Sequence, residues 1–219
     1  MSEENKQKFT SLGKILEIHK FLWFPVALFF KYYFNSNTIR SSLMTGFFGS
    51  YGILWVIKSN TFPDKTFYNN EEYQCNYIES IINFLSISVY FLFPYLASIN
   101  QEEITEIEVL ISTMLFSIGE FYHYVADAQK FYTLKHKKDL ITEGLFYNIR
   151  HPNYFGEFLM WFSLLILSGY KFILSYIPII WLSLATIFIG IPRKEKSLER
   201  YTEFEWWFNH TWSMVPKLA

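Results

Sequence analysis

A short segment in the second half of the chain brings together residue types that bind anions. It reads GLFYNIRHPNYFGE over 144–157, with Arg150 and His151 directly before Pro152. Proline fixes its own backbone angle and lacks an amide donor, so it suits the first turn of a helix. The next three backbone amides would then lie beside the arginine, where a phosphate or carboxylate can bind. These amides belong to Asn153, Tyr154 and Phe155. The alternative is an ordinary helix entering a membrane, with the arginine and histidine at the lipid headgroups.

The same segment predicts what its helix presents to neighbours. Asn153 and Glu157 are four residues apart and therefore share one face, as do Pro152 and Gly156. Because Gly156 has no side chain, it would let a neighbouring helix or a flat ligand approach the backbone closely.

A second group of ionisable residues precedes this segment at helical spacing. Glu120, His123, Asp127 and Lys130 are separated by three, four and three positions, so they form one polar stripe on a helix. Ionisable groups at membrane depth are costly and face a cavity or one another. The stripe could orient a substrate or donate a proton. Alternatively, His123 pairs with Asp127, and Asp127 with Lys130, and the stripe only anchors the helix end.

The C-terminal tail combines mixed charges with aromatic residues. Residues 192–201 read PRKEKSLERY, and Trp206, Trp207 and Phe208 follow. This pattern is typical of an amphipathic helix that lies at the membrane interface. The other possibility is that the tail folds over a basic vestibule and closes a site. The residues that would do so are Arg193, Glu195 and Tyr201.

Hydrophobic stretches predict the elements that must position these residues. A bilayer requires about 20 apolar residues for one helical crossing. The third, fourth and sixth of six stretches are long enough, whereas the first is interrupted by Pro25 and Lys31 and the fifth is short. The stretches are approximately 21–34, 38–57, 77–99, 104–126, 157–169 and 172–191.

These patterns predict an all-α integral membrane protein, a bundle of about five or six spans. We expect one membrane domain over 1–219, with 1–119 on the substrate side and 120–219 forming a C-terminal region with a cofactor vestibule. A short helical hairpin over 157–191 and an interfacial helix would complete the C-terminal region.

Composition excludes several classes of function. Charged residues are 18% of the 219 residues, below the roughly 25% of soluble domains. With 19 Lys and Arg against 20 Asp and Glu, no nucleic-acid surface is indicated. The single cysteine, Cys75, excludes an internal disulfide, and the scattered histidines indicate no metal site. The sequence also lacks a Walker loop and a Rossmann glycine motif.

Charge asymmetry predicts the orientation. Alternating the loops places most of the basic residues on one side, with both termini, while the opposite side keeps the acidic loop Asn100–Glu103. Both termini are therefore expected on the cytosolic or equivalent side. We expect the endoplasmic reticulum membrane, with the mitochondrial inner membrane as the alternative.

The element RHPNYFGE, Arg150–Glu157, resembles a superfamily of small membrane enzymes. It includes the steroid 5-alpha-reductases, the sterol reductases, and the isoprenylcysteine and phospholipid methyltransferases. Asn153 and Glu157 resemble the reductase branch in particular, as does the earlier stretch Asp127–Lys130. The resemblance covers 120–219 well and 1–119 more vaguely.

The resemblance implies NADPH as the cofactor and no metal. It implies contacts to the cofactor from a set of ten residues: Gln129, Lys130, Arg150, His151, Asn153, Tyr154, Glu157, Arg193, Glu195 and Tyr201. It also implies a lipophilic substrate or membrane lipid as the partner. Combined with the polar stripe, it makes Glu120, Asp127 and Tyr154 the candidate catalytic residues.

Three functions remain open on the sequence. The first is NADPH-dependent reduction of a conjugated C=C bond in a steroid, sterol or lipid enone. The second is methylation of a lipid or prenyl-cysteine with S-adenosylmethionine, whose carboxylate the Arg-His-Pro element would hold. The third is a non-catalytic subunit of a large membrane complex. The tail favours it, because sterol reductases have Arg-Asp-Glu where this chain reads Arg193-Lys194-Glu195.

Overall fold

The computed structural model describes residues 8–217; it is 76% helical and has almost no strand. The all-α membrane bundle predicted from the sequence is confirmed. The chain groups into two compact units, Met1–Glu103 and Ile104–Ala219. The boundary predicted at 119/120 falls inside a single long helix of the second unit.

Among its described residues, the N-terminal unit contains six α-helices, two 3₁₀ turns and one pair of very short strands. The 3₁₀ turns are Glu71–Tyr73 and Ser88–Phe91, and the second joins α5 to α6. The strands are antiparallel, with Thr10 opposite Cys75. Helix starts follow the capping rules: the Ser11 side chain accepts from the amide of Lys14, and Asn76 forms a reciprocal capping box with Glu79. The elements are β1 (Thr10–Ser11), α1 (Leu12–Phe21), α2 (Trp23–Tyr33), α3 (Ile39–Thr61), α4 (Lys65–Asn69), β2 (Gln74–Cys75), α5 (Tyr77–Ile87) and α6 (Leu92–Ile99).

Aromatic rings around one lysine form the centre of this unit. The buried Nζ of Lys20 lies 3.9 Å from the ring centroid of Trp23 and 4.0 Å from that of Tyr90. Tyr51 of α3 stacks on Trp23 at 4.6 Å. The α1–α2 junction reaches α3 this closely because Gly52 has no side chain: a Cβ there would lie 2.8 Å from the carbonyl oxygen of Lys20.

The C-terminal unit is built on two long helices and a hairpin. Its helices are α7 (Glu106–His136), α8 (Pro152–Ser168), α9 (Tyr176–Ala185), α10 (Ile191–Leu198) and α11 (Phe204–His210). A π-helical turn, Thr186–Gly190, joins α9 to α10. Gly169, with φ of 97°, ends α8 and begins the turn into the predicted hairpin. Pro152 occupies the start of α8, as predicted.

Helices α7 and α8 touch through their backbones. A Cβ added to Gly156 would lie 2.5 Å from the carbonyl oxygen of Gly119, and one added to Gly119 would lie 2.6 Å from that of Gly156. The buried Ser163 hydroxyl donates to the Ser112 carbonyl at 2.7 Å farther along the same contact. The close approach predicted for Gly156 is thus made by a neighbouring helix, which fixes α8 on α7.

Three helices in the described part of the chain are long and apolar enough to cross a membrane. They are Tyr77–Ile99, Glu106–His136 and Ile173–Leu198, which correspond to the third, fourth and sixth predicted stretches. Many of their large apolar side chains are exposed, as lipid-facing residues are. The fifth stretch forms α8, whose 17 residues are fewer than the roughly 20 that span a bilayer.

Candidate functional site

The amino end of α8 is the point at which predicted site residues converge. His151 precedes the helix, and no side chain caps the first turn. The amide of Phe155 donates to the carbonyl of His151 at 3.1 Å, so this amide is already used within the helix. The first two amides of the turn belong to Asn153 and Tyr154, and both side chains are half-buried.

A carboxylate from α10 binds both cationic residues at this helix end. Oε1 of Glu195 accepts from Nε of Arg150 at 2.8 Å and lies 3.2 Å from Nε2 of His151. Nη1 of Arg150 also donates to the carbonyls of Phe208 and Thr211, at 2.9 and 2.6 Å. The Arg150 side chain is 10% exposed and that of His151 is 3%. We call Arg150, His151 and Glu195 the ionic clamp.

The chain after α11 folds back along the segment that leads into α8. The amide of Arg150 donates to the carbonyl of Trp212 at 2.8 Å, and the amide of His151 donates to the carbonyl of Ser213 at 2.9 Å. Nε1 of the buried Trp207 donates to the Phe146 carbonyl at 2.9 Å. The tail therefore folds back on this segment. Of the three tail residues expected to close a site, Glu195 contacts the segment, and closure of a site stays a prediction.

Tyr154 lies between His151 and Lys194 of α10. Its ring is 5.7 Å from the His151 ring, and Nζ of Lys194 lies 3.9 Å from the Tyr154 ring centroid. A Cβ on Gly190, at the end of the π-helical turn, would lie 2.7 Å from the Tyr154 hydroxyl oxygen. Glycine at this position therefore makes room for the hydroxyl, and π-helical turns of this kind occur often at functional sites.

Burial lowers the pKa of His151, while its hydrogen bond to Glu195 acts in the opposite direction. The neighbouring charges of Lys194 and Arg150 lower this pKa further. The imidazole is therefore neutral near pH 7. A neutral ring shares the Glu195 carboxylate with Arg150 and adds no charge to the clamp.

Gln129 holds the loop between α7 and α8. Its Nε2 donates to the Glu143 carbonyl at 2.8 Å, and its Oε1 accepts from the Leu145 amide at 3.1 Å. Between them Gly144 has φ of 59°, a conformation that favours glycine, and a Cβ there would lie 2.5 Å from the Gln129 amide nitrogen. Gln129 thus binds protein backbone in this structure, and its contact with a cofactor stays a prediction.

A second polar cluster lies one turn into the α7–α8 contact. Nδ1 of the buried His123 is 3.7 Å from Oε1 of Glu157, and its Nε2 is 3.9 Å from Oδ2 of Asp127. The predicted His123–Asp127 pair is therefore present. The Glu157 partner joins the two helices beside the Gly119–Gly156 contact, and the sequence did not indicate it.

The other predicted site residues differ in how far their side chains are exposed. Glu120 and Lys130 are half-buried on α7, and Arg193 is exposed on α10. The Tyr201 hydroxyl accepts from Nη2 of its neighbour Arg200 at 3.1 Å. Their catalytic and binding roles stay predictions.

Comparison with family profiles gives one match. The profile described as "Protein of unknown function (DUF1295)" matches residues 60–211, which is more than half of the chain. The chain belongs to the DUF1295 family. This family is related to steroid 5-alpha-reductase-like membrane proteins. A comparison with curated proteins gives no match.

The DUF1295 match contains α7, α8, the clamp and most of the tail contacts. Sequence reasoning missed two residues of this region that the structure brings to the site, Gly190 and Lys194. It named His123 but not its contact with Glu157. A glycine within an apolar span next to a charged tail could have indicated Gly190. Nothing local in the sequence indicates that a lysine 40 positions later lies on Tyr154.

Proposed function

We propose that this DUF1295 protein is a membrane reductase that uses NADPH to reduce a conjugated C=C bond in a lipophilic substrate. The observation that carries the proposal is the arrangement around Tyr154. A helix amino end, a lysine and an aromatic face lie together beside a buried ionic clamp. The kinship of the family with steroid 5-alpha-reductase-like proteins supports the same function.

The donor set at this place fits a dinucleotide phosphate. Arg193 is exposed and Lys194 half-buried on α10, and the first amides of α8 have no side-chain cap. Cations and helix amino ends are the groups that bind phosphate in proteins. The clamp would contribute by holding α10 on α8, because Glu195 already occupies Arg150 and His151. NADPH, when bound, would supply a hydride for the reduced carbon.

Residues of the chain would supply orientation and the proton. The Tyr154 hydroxyl could donate a proton to the enolate that forms after hydride addition. Its position is set by three neighbours: the His151 ring, Lys194 and the space left by Gly190. Asp127 and Glu157, on either side of His123, would hold a polar wall within the bundle, and Glu120 lies two turns earlier on α7.

The test uses the full chain in phospholipid nanodiscs with NADPH deuterated at nicotinamide C4. A steroid enone and a long-chain enone are offered, and deuterium in the product is measured by mass spectrometry. We expect deuterium at the β-carbon, with the rate reduced roughly 100-fold in Tyr154→Phe. The control is Tyr147→Phe, since Tyr147 is 62% exposed in the same segment. Transfer of a methyl group from S-adenosylmethionine, with no NADPH consumed, would contradict the reductase.

One observation favours a second candidate, the non-catalytic subunit of a membrane complex. Arg150 and His151 are buried and bound to Glu195 and to tail carbonyls, as a purely structural clamp would be. A structural role predicts co-purification in fixed ratio with a large assembly from native membranes, together with no stabilisation by NADPH. A chain that purifies alone and consumes NADPH would exclude it.

A further inference from the structure

We infer that an apolar groove in the N-terminal unit binds one hydrocarbon chain of a membrane phospholipid. The groove has a volume of about 430 Å³, which is within the range of small-molecule sites in proteins. Ile15 and Ile18 of α1 form one wall, and Ile81, Phe84 and Leu85 of α5 form the other. The inference is independent of the reductase proposal.

The lining offers almost nothing to a polar ligand. Its hydroxyl groups are those of Thr10, Tyr77 and Ser80. The Ser80 hydroxyl donates to the Asn76 carbonyl at 2.6 Å, at the start of its own helix. The other lining residues are aliphatic or aromatic. Burial of methylene groups is therefore the interaction that can drive binding here.

The position of α5 identifies the occupant as a lipid. This helix begins the segment Tyr77–Ile99, which is long and apolar enough to cross a bilayer. The groove follows its first turns, where acyl chains are the surrounding solvent. Ile18 and Leu85 at one end are 57% and 65% exposed, so the groove is continuous with an apolar outer surface.

The other end of the groove is polar at its rim, as a phospholipid requires. Phe9 and Tyr77 close this end with an edge-to-face contact at 5.6 Å. Next to them Lys8 pairs with Glu71 at 3.8 Å. A headgroup at this rim and a chain in the groove match the polarity of both ends.

The rim carries both signs of charge, and this favours a zwitterionic headgroup. Among the described residues at this rim, Lys8 has the carboxylate of Glu71 within ion-pair distance, unlike the cationic clusters that attract anionic lipids. Phosphatidylcholine is therefore the probe of choice.

The test uses the full chain in nanodiscs of palmitoyl-oleoyl phosphatidylcholine. A small fraction of the lipid carries a diazirine near the end of one acyl chain. After irradiation, labelled peptides are located by mass spectrometry, with and without excess unlabelled lipid. We expect saturable labelling concentrated in 9–21 and 77–87.

Variants that fill the groove are compared with variants that add the same bulk outside it. Ile81→Trp and Ile18→Trp each add an indole to the lining, while Ile82→Trp and Phe21→Trp alter exposed neighbours that do not line the groove. We expect groove variants to reduce labelling roughly tenfold, the effect of excluding about two methylene groups from an apolar site. The control variants should label as the unchanged chain does.

Three results would overturn the inference. Labelling could be spread evenly over exposed helix faces such as Tyr176–Ala185, without effect of the groove variants. Labelling of 9–21 and 77–87 could be absent, as it would be if a second copy of the chain covered the groove. Labelling could persist in both groove variants while circular dichroism shows that they are folded. Because the two groove variants lie on different helices, failure of one to fold leaves the other decisive.

Discussion

The two units of the chain stabilise cations in different ways. In the C-terminal unit, the half-buried Arg150 pairs with the carboxylate of Glu195, which comes from a helix about 45 residues away, and the neutral, buried His151 shares that carboxylate. In the N-terminal unit, buried Lys20 lies against aromatic rings, and Lys58 lies 4.3 Å from the Trp55 ring centroid. An ion pair between distant segments fixes the positions of both segments. Aromatic rings around a lysine instead stabilise its charge through their faces and do not require a single partner position.

This difference indicates which unit can hold a catalytic site. A site needs polar groups from several elements held at fixed distances, and among the described residues the C-terminal unit provides this around Tyr154. The N-terminal unit instead offers aromatic packing and an apolar groove. The family match covers the C-terminal unit up to residue 211 and begins at residue 60, late in the N-terminal one.

The ionic clamp should give the largest effect on stability. Arg150→Ala leaves the partly buried Glu195 and two tail carbonyls without their donor, so we expect the free energy of unfolding to fall by about 3 kcal/mol. The control is Arg200→Ala, because Arg200 is exposed and bonds only within its own turn. Its effect should stay within about 0.5 kcal/mol. Denaturant unfolding in detergent measures both, and equal effects would show that the clamp contributes nothing special.

A Cβ at the α7–α8 contact of the C-terminal unit should destabilise the fold more than a Cβ at an uncrowded glycine of the N-terminal unit. Gly156→Ala places a Cβ against the Gly119 carbonyl and should cost about 2 kcal/mol. Gly46→Ala, on α3, meets nothing within 4 Å and should stabilise by about 0.5 kcal/mol through helix propensity. Thermal unfolding of the two variants compares them directly. A Gly156→Ala protein as stable as the unchanged chain would refute the backbone contact.

Acid sensitivity should differ between two of the buried histidines, His19 and His151. Burial lowers the pKa of His19 to about 3, with a further contribution from Lys20. Below pH 6.5 the unfolded chain binds a proton that folded His19 does not. Its contribution to stability is therefore complete above pH 6.5 and is lost as the pH falls toward 3, by up to about 1.4 kcal/mol per pH unit.

Acid should also destabilise the fold through His151, because burial lowers its pKa as well. The hydrogen bond to Glu195 opposes this lowering, so the pH range over which His151 loses its contribution to stability is narrower. His19→Leu should therefore flatten the dependence of unfolding free energy on pH between 7 and 5 more than His151→Asn does. Unfolding curves at several pH values in this interval decide it. A larger flattening in His151→Asn would reverse the assignment.

The smallest effect concerns the rings around Lys20. A double-mutant cycle with Lys20→Met and Tyr90→Leu isolates their interaction, and we expect a coupling energy of about 1 kcal/mol. The matched cycle pairs Lys20→Met with Phe48→Leu, a buried ring that stacks on Trp23 at 4.4 Å. A coupling near zero in the first cycle would mean that the rings act only as packing.

Local features of the architecture could be predicted from the sequence. The three spans follow from runs of apolar residues, and the start of α8 follows from Pro152. The His123–Asp127 pair follows from helical spacing. Each depends on residues within a few turns of one another, so the sequence carries the necessary information.

Contacts between distant segments could not be predicted in the same way. Glu195 was expected near the site, but its bonds to Arg150 and His151 depend on how α10 continues the last span. The Gln129 side chain binds the backbone on both sides of Gly144, a contact that its predicted role at a cofactor did not indicate. The partner of Gly156 was left open between a helix and a ligand, and the packing of α7 on α8 decides it.

Binding of the cofactor tests the central claim most directly. The full chain in detergent is heated with NADPH, NADH or S-adenosylmethionine, and the unfolding midpoint is followed. We expect NADPH to stabilise the folded chain most, by about 2.7 kcal/mol at 100 times its Kd. Lys194→Ala should weaken this effect, and Lys138→Ala, at an exposed lysine, should leave it unchanged. Stabilisation by S-adenosylmethionine alone, or by none of the three, would contradict the account.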